Sequence, residues 1–203
     1  MRVRAPANNR LVSRLSTSPE FCVFTVYTPR VQYAAFLRAI NVGKHNRVKM
    51  EDLRALCTSL GSTNVSTYLQ TGNIAFESDD PENVAAVRLE EALLGIGLRN
   101  AAAIVRTREE LQELVSVERF AALDAERFAR LVTLFRGPLP GGDEVVLPPG
   151  PLQLVEVRQR EVLTALELGG RSQLDLNGYF EREFKLSGTT RYWNVVTDFA
   201  ARM

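Results

Sequence analysis

Apolar and polar positions change period along residues 33–106, and each change marks an element. Residues 33–37 are a short apolar run, which predicts a buried strand ending at Arg38. Residues 39–46 are rich in Gly and Asn, which tolerate positive φ, so they predict a loop. Leu53, Leu56, Cys57 and Leu60 then recur at i, i+3, i+4 and i+7, one face of a helix, with Gly61 just past its end. Residues 65–70 are β-branched and aromatic and read as a strand. Thr71-Gly72 is a two-residue turn signal, and residues 73–76 form the returning strand. Asp80-Pro81 suits a helix start, with Asp as cap and Pro at the first helical position. Val84, Val87 and Leu94 supply that helix with an apolar face, and Gly95 ends it. Residues 101–105 are a further short strand.

The order strand-helix-strand-strand-helix-strand is the split βαβ, or ferredoxin-like, pattern. It carries a geometric expectation. The first and second strands run the same way with the third antiparallel between them. The end of the first strand, the following hairpin and the start of the first helix therefore share one edge. Arg38, Asn41, Gly43 and Lys44 are expected there beside Gln70, Thr71, Gly72 and Asn73. Arg47 and Lys49 add positive charge, and the exposed N–H groups of a helix start favour an anion. This edge is the candidate site for a phosphate or carboxylate. The alternative is that these residues cap the loop and are otherwise solvated.

The remaining chain predicts a smaller α+β part. Thr107 and Glu110 form a capping box ahead of a helix carrying Leu111, Leu114 and Val115. Residues 131–135 read as a strand. Residues 137–151 are dense in Gly and Pro and read as a loop or short linker. Residues 152–157 and 161–166 read as a hairpin turning through Arg158, Gln159 and Arg160. Leu174, Leu176, Phe180 and Phe184 suggest a helix from about Asp175. Thr189 or Thr190 can cap a last helix with Trp193, Val196 and Phe199 or Ala200 on its apolar face. Arg191 and Asn194 would then sit at a helix start, open to solvent, and join the candidate site. No internal repeat is visible in the sequence.

The division expected is an extension over 1–30, a ferredoxin-like unit over 31–106, and an α+β subdomain over 107–203. The extension differs from the rest, being rich in Arg, Ser, Thr, Asn and Pro. It reads as disordered, as a source of one edge strand from residues 21–27, or as lying upstream of a native start near Val31. Its Arg-rich, acid-poor beginning also resembles an organelle transit peptide.

Residues 38–56, running RAINVGKHNRVKMEDLRAL, followed by TYLQTGNIAF at 67–76, resemble the opening of the bacterial family called domain of unknown function 1697. That family opens with a strand, an RGINVGG-like loop, a KM-x-x-L helix and a QSGN hairpin. TTRYWNVV at 189–196 is similar to its closing TTRNWNTV. The match departs at Ala39 for Gly, Lys44 for Gly, Thr71 for Ser and Tyr192 for Asn. A Ser-Lys-Leu of the family is Ser172-Gln173-Leu174 in this chain. The resemblance implies the fold and no activity.

Composition narrows the function classes. The chain has 203 residues, 45% hydrophobic and 24% charged, ordinary for a soluble globular protein. The net charge is +1, so no strong field toward nucleic acid or membrane is expected. Residues 1–30 hold five Arg against Glu20, giving +4, and the rest is −3 by subtraction. Cys22 and Cys57 are the only cysteines. Cys57 falls on an apolar helix face, no disulfide or metal spacing is seen, and the usage suits a reducing, cytoplasmic compartment. No apolar run is long enough to cross a bilayer. The single histidine, His45, lies in the first loop without a G-x-S-x-G elbow. Neither a P-loop nor a Rossmann fingerprint occurs, and no cofactor is implied.

Two function classes follow. One is a binding module holding a small phosphorylated or carboxylated ligand at the polar edge. Nucleic acid is a weaker version, because only Phe76 supplies an aromatic on the third strand. The other is a metal-independent enzyme using Arg38 or Arg191 electrostatically and His45 or Tyr192 for proton transfer. An interaction or homodimerisation domain in which the motifs are structural is the third alternative. Return of the segment 189–194 to the edge is the feature that separates these readings.

Overall fold

The computed structural model describes residues 30–42, 46–141, 144–169 and 174–203. The expectations for the extension, Cys22, Gly43, Lys44, His45 and Ser172-Gln173 fall outside them. Thirteen elements are described, starting with β1 (Val31–Arg38), α1 (Met50–Ser59), β2 (Thr63–Tyr68), β3 (Asn73–Ser78), α2 (Glu82–Gly95), β4 (Ala102–Thr107) and α3 (Arg108–Val115). They continue with β5 (Phe128–Phe135), β6 (Leu152–Val157), β7 (Glu161–Glu167), α4 (Leu176–Phe184), β8 (Gly188–Tyr192) and α5 (Trp193–Ala200).

The strands form two antiparallel sheets of mixed α+β architecture, ordered β2-β3-β1-β4 and β6-β7-β5-β8. Matching the positions shows one plan used twice. β5, β6, β7 and β8 occupy the places of β1, β2, β3 and β4, α4 corresponds to α2, and α5 follows β8 as α3 follows β4. Among the described residues only α1 lacks a counterpart; the segment between β5 and β6 is rich in Gly and Pro, which disfavour a helix.

Burial explains the layers. On β1, Tyr33, Ala35 and Leu37 point toward α1 and α2, while Ala34 and Phe36 point the other way. Both faces of the strand are buried, so its sequence is an apolar run rather than an alternation. The central core joins Phe36, Ile104, Leu111 and Leu114 to Val132, Leu134, Trp193, Val196 and Phe199, with α3 and α5 packed against each other. A third core lies on the outer face of the second sheet, where Phe135 meets Phe180 and Phe184 edge-on.

Four local expectations are corrected. The buried face of α2 is Ala85, Ala86, Leu89 and Leu93, whereas Val84, Val87 and Leu94 are exposed. The alanines keep little bulk between helix and sheet, so α2 faces the sheet through its small residues. Pro81, not Asp80, is the N-cap of α2, and Asp80 instead pairs with Arg88. The turn between β2 and β3 spans four residues, since Tyr68 pairs with Asn73 and Leu69 and Gly72 both have positive φ. The segment expected to cap the last helix is strand β8, and α5 starts only at Trp193.

Candidate functional site

The expected edge exists in the fold. Leu37 N donates to Gly72 O at 2.8 Å, joining the end of β1 to the β2–β3 turn. Gly72 has φ of 80°, and a Cβ there would fall 2.5 Å from Ile40 Cδ1 and 2.9 Å from Leu37 Cβ. Only glycine allows that approach. Asn41 spends its carboxamide on the same junction. Its Nδ2 donates to Gln70 O at 2.8 Å, and its Oδ1 accepts from Val48 N at 2.9 Å. Asn46 does similar work, donating to Ala39 O and Arg99 O and accepting from Arg99 N. Asn41 and Asn46 have φ of 53° and 55°, a region Asn enters more readily than other side chains.

The closing motif returns to this edge, but in another form than its sequence suggests. Arg191 is on β8, opposite Val132, and not at an open helix start. Its Nε donates to Asn73 Oδ1 at 3.0 Å, and its Nη2 donates to Leu37 O at 2.6 Å and Thr71 O at 3.0 Å. Its Nη1 donates to Thr189 Oγ1 and Thr190 O. All five N–H groups meet neutral oxygens, and no carboxylate is among these partners. Burial pulls the guanidinium pKa down to about 10. Asn73 is fully buried and also donates to Tyr68 O and Thr71 Oγ1. Arg191, Asn73 and Thr71 thus form an internal joint between the sheets.

The other candidates divide. Arg38 Nη2 pairs with Glu181 Oε2 on α4 at 2.6 Å, and Arg38 does not line the cleft that holds Asn41 and Gln70. Asn194 is exposed on α5, where its carbonyl accepts from Thr197. Asn41 and Gln70, in contrast, line a cleft of about 680 Å³ with Arg47, Val48, Lys49, Met50 and Asp52. Among the described residues no side chain caps α1, whose N-cap is Lys49, and Glu51 and Asp52 occupy its first turn.

A cluster that sequence reading did not single out lies between the two halves. Arg106 is 2% exposed; its Nε donates to Glu161 Oε1 at 2.8 Å, and its Nη2 to Phe135 O and Arg160 O. Desolvation lowers the Arg106 pKa, against the stabilising charge of Glu161. Arg160 pairs with Glu82 and Glu110, Arg158 with Glu113, and Arg119 with both oxygens of Glu156 at 2.7 Å. Arg136 likewise grips both oxygens of Glu90 at 2.9 and 2.8 Å. The available signal was composition, since only three of the 25 basic residues are lysines, Lys44, Lys49 and Lys185. Arginine suits such joints because its planar fork can satisfy several acceptors at once.

Among the described residues, no three His, Cys, Asp or Glu side chains are grouped as metal ligands would be. No helix among them is long and apolar enough to cross a membrane.

The architecture defines a protein of α+β class, with two antiparallel sheets and five helices among its described residues. A family model described as "Protein of unknown function (DUF1697)" matches residues 31–146, and the chain belongs to that family. Its fold is also similar to that of a conserved bacterial protein from Streptococcus pneumoniae. That likeness has a TM-score of 0.60 at 22% identity, covering 85% of this chain and 98% of the other. Comparison with curated proteins gives no match.

Proposed function

We propose that this protein is a binding module for a small phosphorylated or carboxylated ligand, held in the cleft between the first loop, the β2–β3 turn and the start of α1. The observation carrying this reading is the cleft of about 680 Å³ that brings Asn41 and Gln70 together with Arg47 and Lys49. That volume is within the range of small-molecule sites. An uncapped helix start supplies N–H donors, and the two basic side chains supply charge. Asp52 in the wall favours a ligand seated toward Lys49 and Gln70. Gly43 and Lys44 adjoin this loop in sequence and are proposed to contribute.

Arg191, Asn73, Thr71 and Gly72 act in this reading as supports that fix the turn carrying Gln70. The bonds Arg191 makes inside the protein favour that role over direct ligand contact. Nucleic acid laid across the first sheet is disfavoured, because both faces of β1 are buried in apolar cores.

The test is a thermal-shift and calorimetric comparison of the full chain with inorganic phosphate, pyrophosphate, sugar phosphates and small carboxylates. A ligand that binds only the folded state raises its apparent stability. The expected result is a shift with one anion class that weakens in Lys49→Ala and Gln70→Ala. A blank across all the anions, or equal binding by both variants, overturns the proposal.

A further inference from the structure

A second cleft, of about 530 Å³, opens beside Arg38 at the end of β1. Its lining includes Arg38, Glu90 and Asn100 from one half of the chain and Arg136, Glu181 and Ser187 from the other. Two ion pairs cross between the halves here, Arg38–Glu181 at 2.6 Å and Arg136–Glu90 at 2.8 Å. One member of each pair is screened from water, whereas Arg136 and Glu181 keep 36% and 45% of their side-chain surface exposed. Arg38 and Glu90 keep only 19% and 20% of their side-chain surface exposed.

We propose that this cleft between the halves binds a free α-amino acid through Arg38, Arg136, Glu90 and Glu181. The argument is charge balance. Two guanidiniums and two carboxylates sum to zero, and in the ligand-free protein each has its partner. A simple anion drawn to Arg38 or Arg136 would meet two carboxylates in the same walls and leave one of them without its cation. A simple cation meets the mirror problem at the guanidiniums. Leaving one of the screened charges, Arg38 or Glu90, unpaired is unfavourable. A ligand carrying both charges exchanges partners one for one. Its carboxylate takes an arginine, with the bidentate geometry that guanidinium favours, and its ammonium takes the glutamate released. Asn100 and Ser187 are left for polar contacts with the rest of the ligand. The volume fits a ligand of this size, and a junction between two structural units is a preferred place for such sites.

This inference does not depend on the α1 cleft, and its ligand class differs. The experiment is isothermal titration of the full chain with glycine, L-serine, L-glutamine and L-lysine at up to millimolar concentrations. Each is paired with its N-acetyl derivative, which lacks the ammonium, and its carboxamide, which lacks the carboxylate. At least one free amino acid is expected to bind at least about tenfold more tightly than both blocked forms. Glu181→Gln should weaken it by a similar factor, and Arg38→Lys should weaken it less than Arg38→Gln. Glu181 is half-exposed on α4, so its variant is read alongside a melting curve to establish that it folds. Lys49→Ala should leave this binding unchanged. Absence of binding by every free amino acid, equal binding of the blocked forms, or wild-type affinity in a folded Glu181→Gln would each overturn the assignment.

Discussion

Arg191 Nε and Asn73 Oδ1 lie 3.0 Å apart although 118 positions separate them in the chain. This contact joins the edge strand of the second sheet to the first residue of β3. Around it the guanidinium replaces its water with five protein oxygens, three of them the backbone carbonyls of Leu37 on β1, Thr190 on β8 and Thr71 in the β2–β3 turn. Arg191→Ala leaves these acceptors without their donor. A loss of at least about 3 kcal/mol is expected, given the strength of hydrogen bonds to charged groups. Arg191→Lys recovers less than half, because an ammonium has three donors on a point charge rather than five in a planar fork. Urea denaturation of the two variants measures both effects.

The Arg106–Glu161 pair makes a different prediction, because it is ionic at both ends and buried. Glu161→Gln removes the counter-charge of a guanidinium that is 2% exposed, and about 3–5 kcal/mol of stability is expected to go with it. The paired change Arg106→Met with Glu161→Leu removes both charges and should cost less than the single substitution. Equilibrium unfolding of wild type, Arg106→Met, Glu161→Leu and the double variant completes the cycle. A double variant less stable than either single one would count against this account.

Much of this fold was legible because periodicity reports backbone geometry directly. The βαββαβ order came from apolar runs and i, i+3, i+4 spacing, and so did the shared edge of the first loop and the following turn. What periodicity missed is what depends on long-range partners. The Val84, Val87 and Leu94 stripe has correct helical spacing but is the outward face, because Ala85 and Ala86 set the close approach to the sheet. Thr189 and Thr190 are good cap residues locally, yet the free edge of β5 recruited them into a strand. The duplicated plan left no sequence repeat, since a sheet order needs only matching apolar patterns. Arg191 reads as open to solvent and Arg106 draws no notice in the sequence, because nothing within a few residues of either reveals a buried partner.

Ala39 has φ of 59°, a conformation that costs an L-residue roughly 1–2 kcal/mol and costs glycine almost none. Its alanine also departs from the glycine that the family resemblance implies. Ala39→Gly relieves the strain but adds chain entropy to the unfolded state, which offsets roughly 0.5–1 kcal/mol. A net gain of about 0.5–1 kcal/mol is expected, seen as a raised denaturation midpoint with an unchanged slope.

Gly72 and Gly61 separate strain from crowding. Both have positive φ, 80° and 89°, but a Cβ at Gly61 meets nothing within 4 Å, whereas one at Gly72 strikes Ile40 and Leu37. Gly61→Ala should cost only the conformational strain, roughly 1 kcal/mol. Gly72→Ala adds overpacking of a filled junction, a further 1–3 kcal/mol or so. If Gln70 is held in place by this junction, Gly72→Ala also weakens anion binding at the α1 cleft in a protein that remains folded. Parallel melts and titrations of the two variants read both consequences.

Cys57 predicts how stability changes with pH. Burial on the inner face of α1 pushes its thiol up from 9.0 to about 12. Below pH 9 the thiol is protonated in both states and contributes no slope. Above it the unfolded chain loses the proton while the folded chain keeps it, so the unfolded state is favoured and stability falls until pH about 12. The limiting slope for one proton is about 1.4 kcal/mol per pH unit. Arg191 acts oppositely but later. Its folded pKa of about 10 lies below the ordinary guanidinium value, so its contribution rises with pH only above about 10. Between pH about 9 and 10 the Cys57 effect therefore leads. Cys57→Ala should lower stability by about 1 kcal/mol at neutral pH, through the lost packing of its sulfur. It should also remove this part of the alkaline decline. Urea titrations of wild type and variant at about pH 8 and about pH 10 make the comparison, and parallel pH slopes would rule out Cys57 as the source.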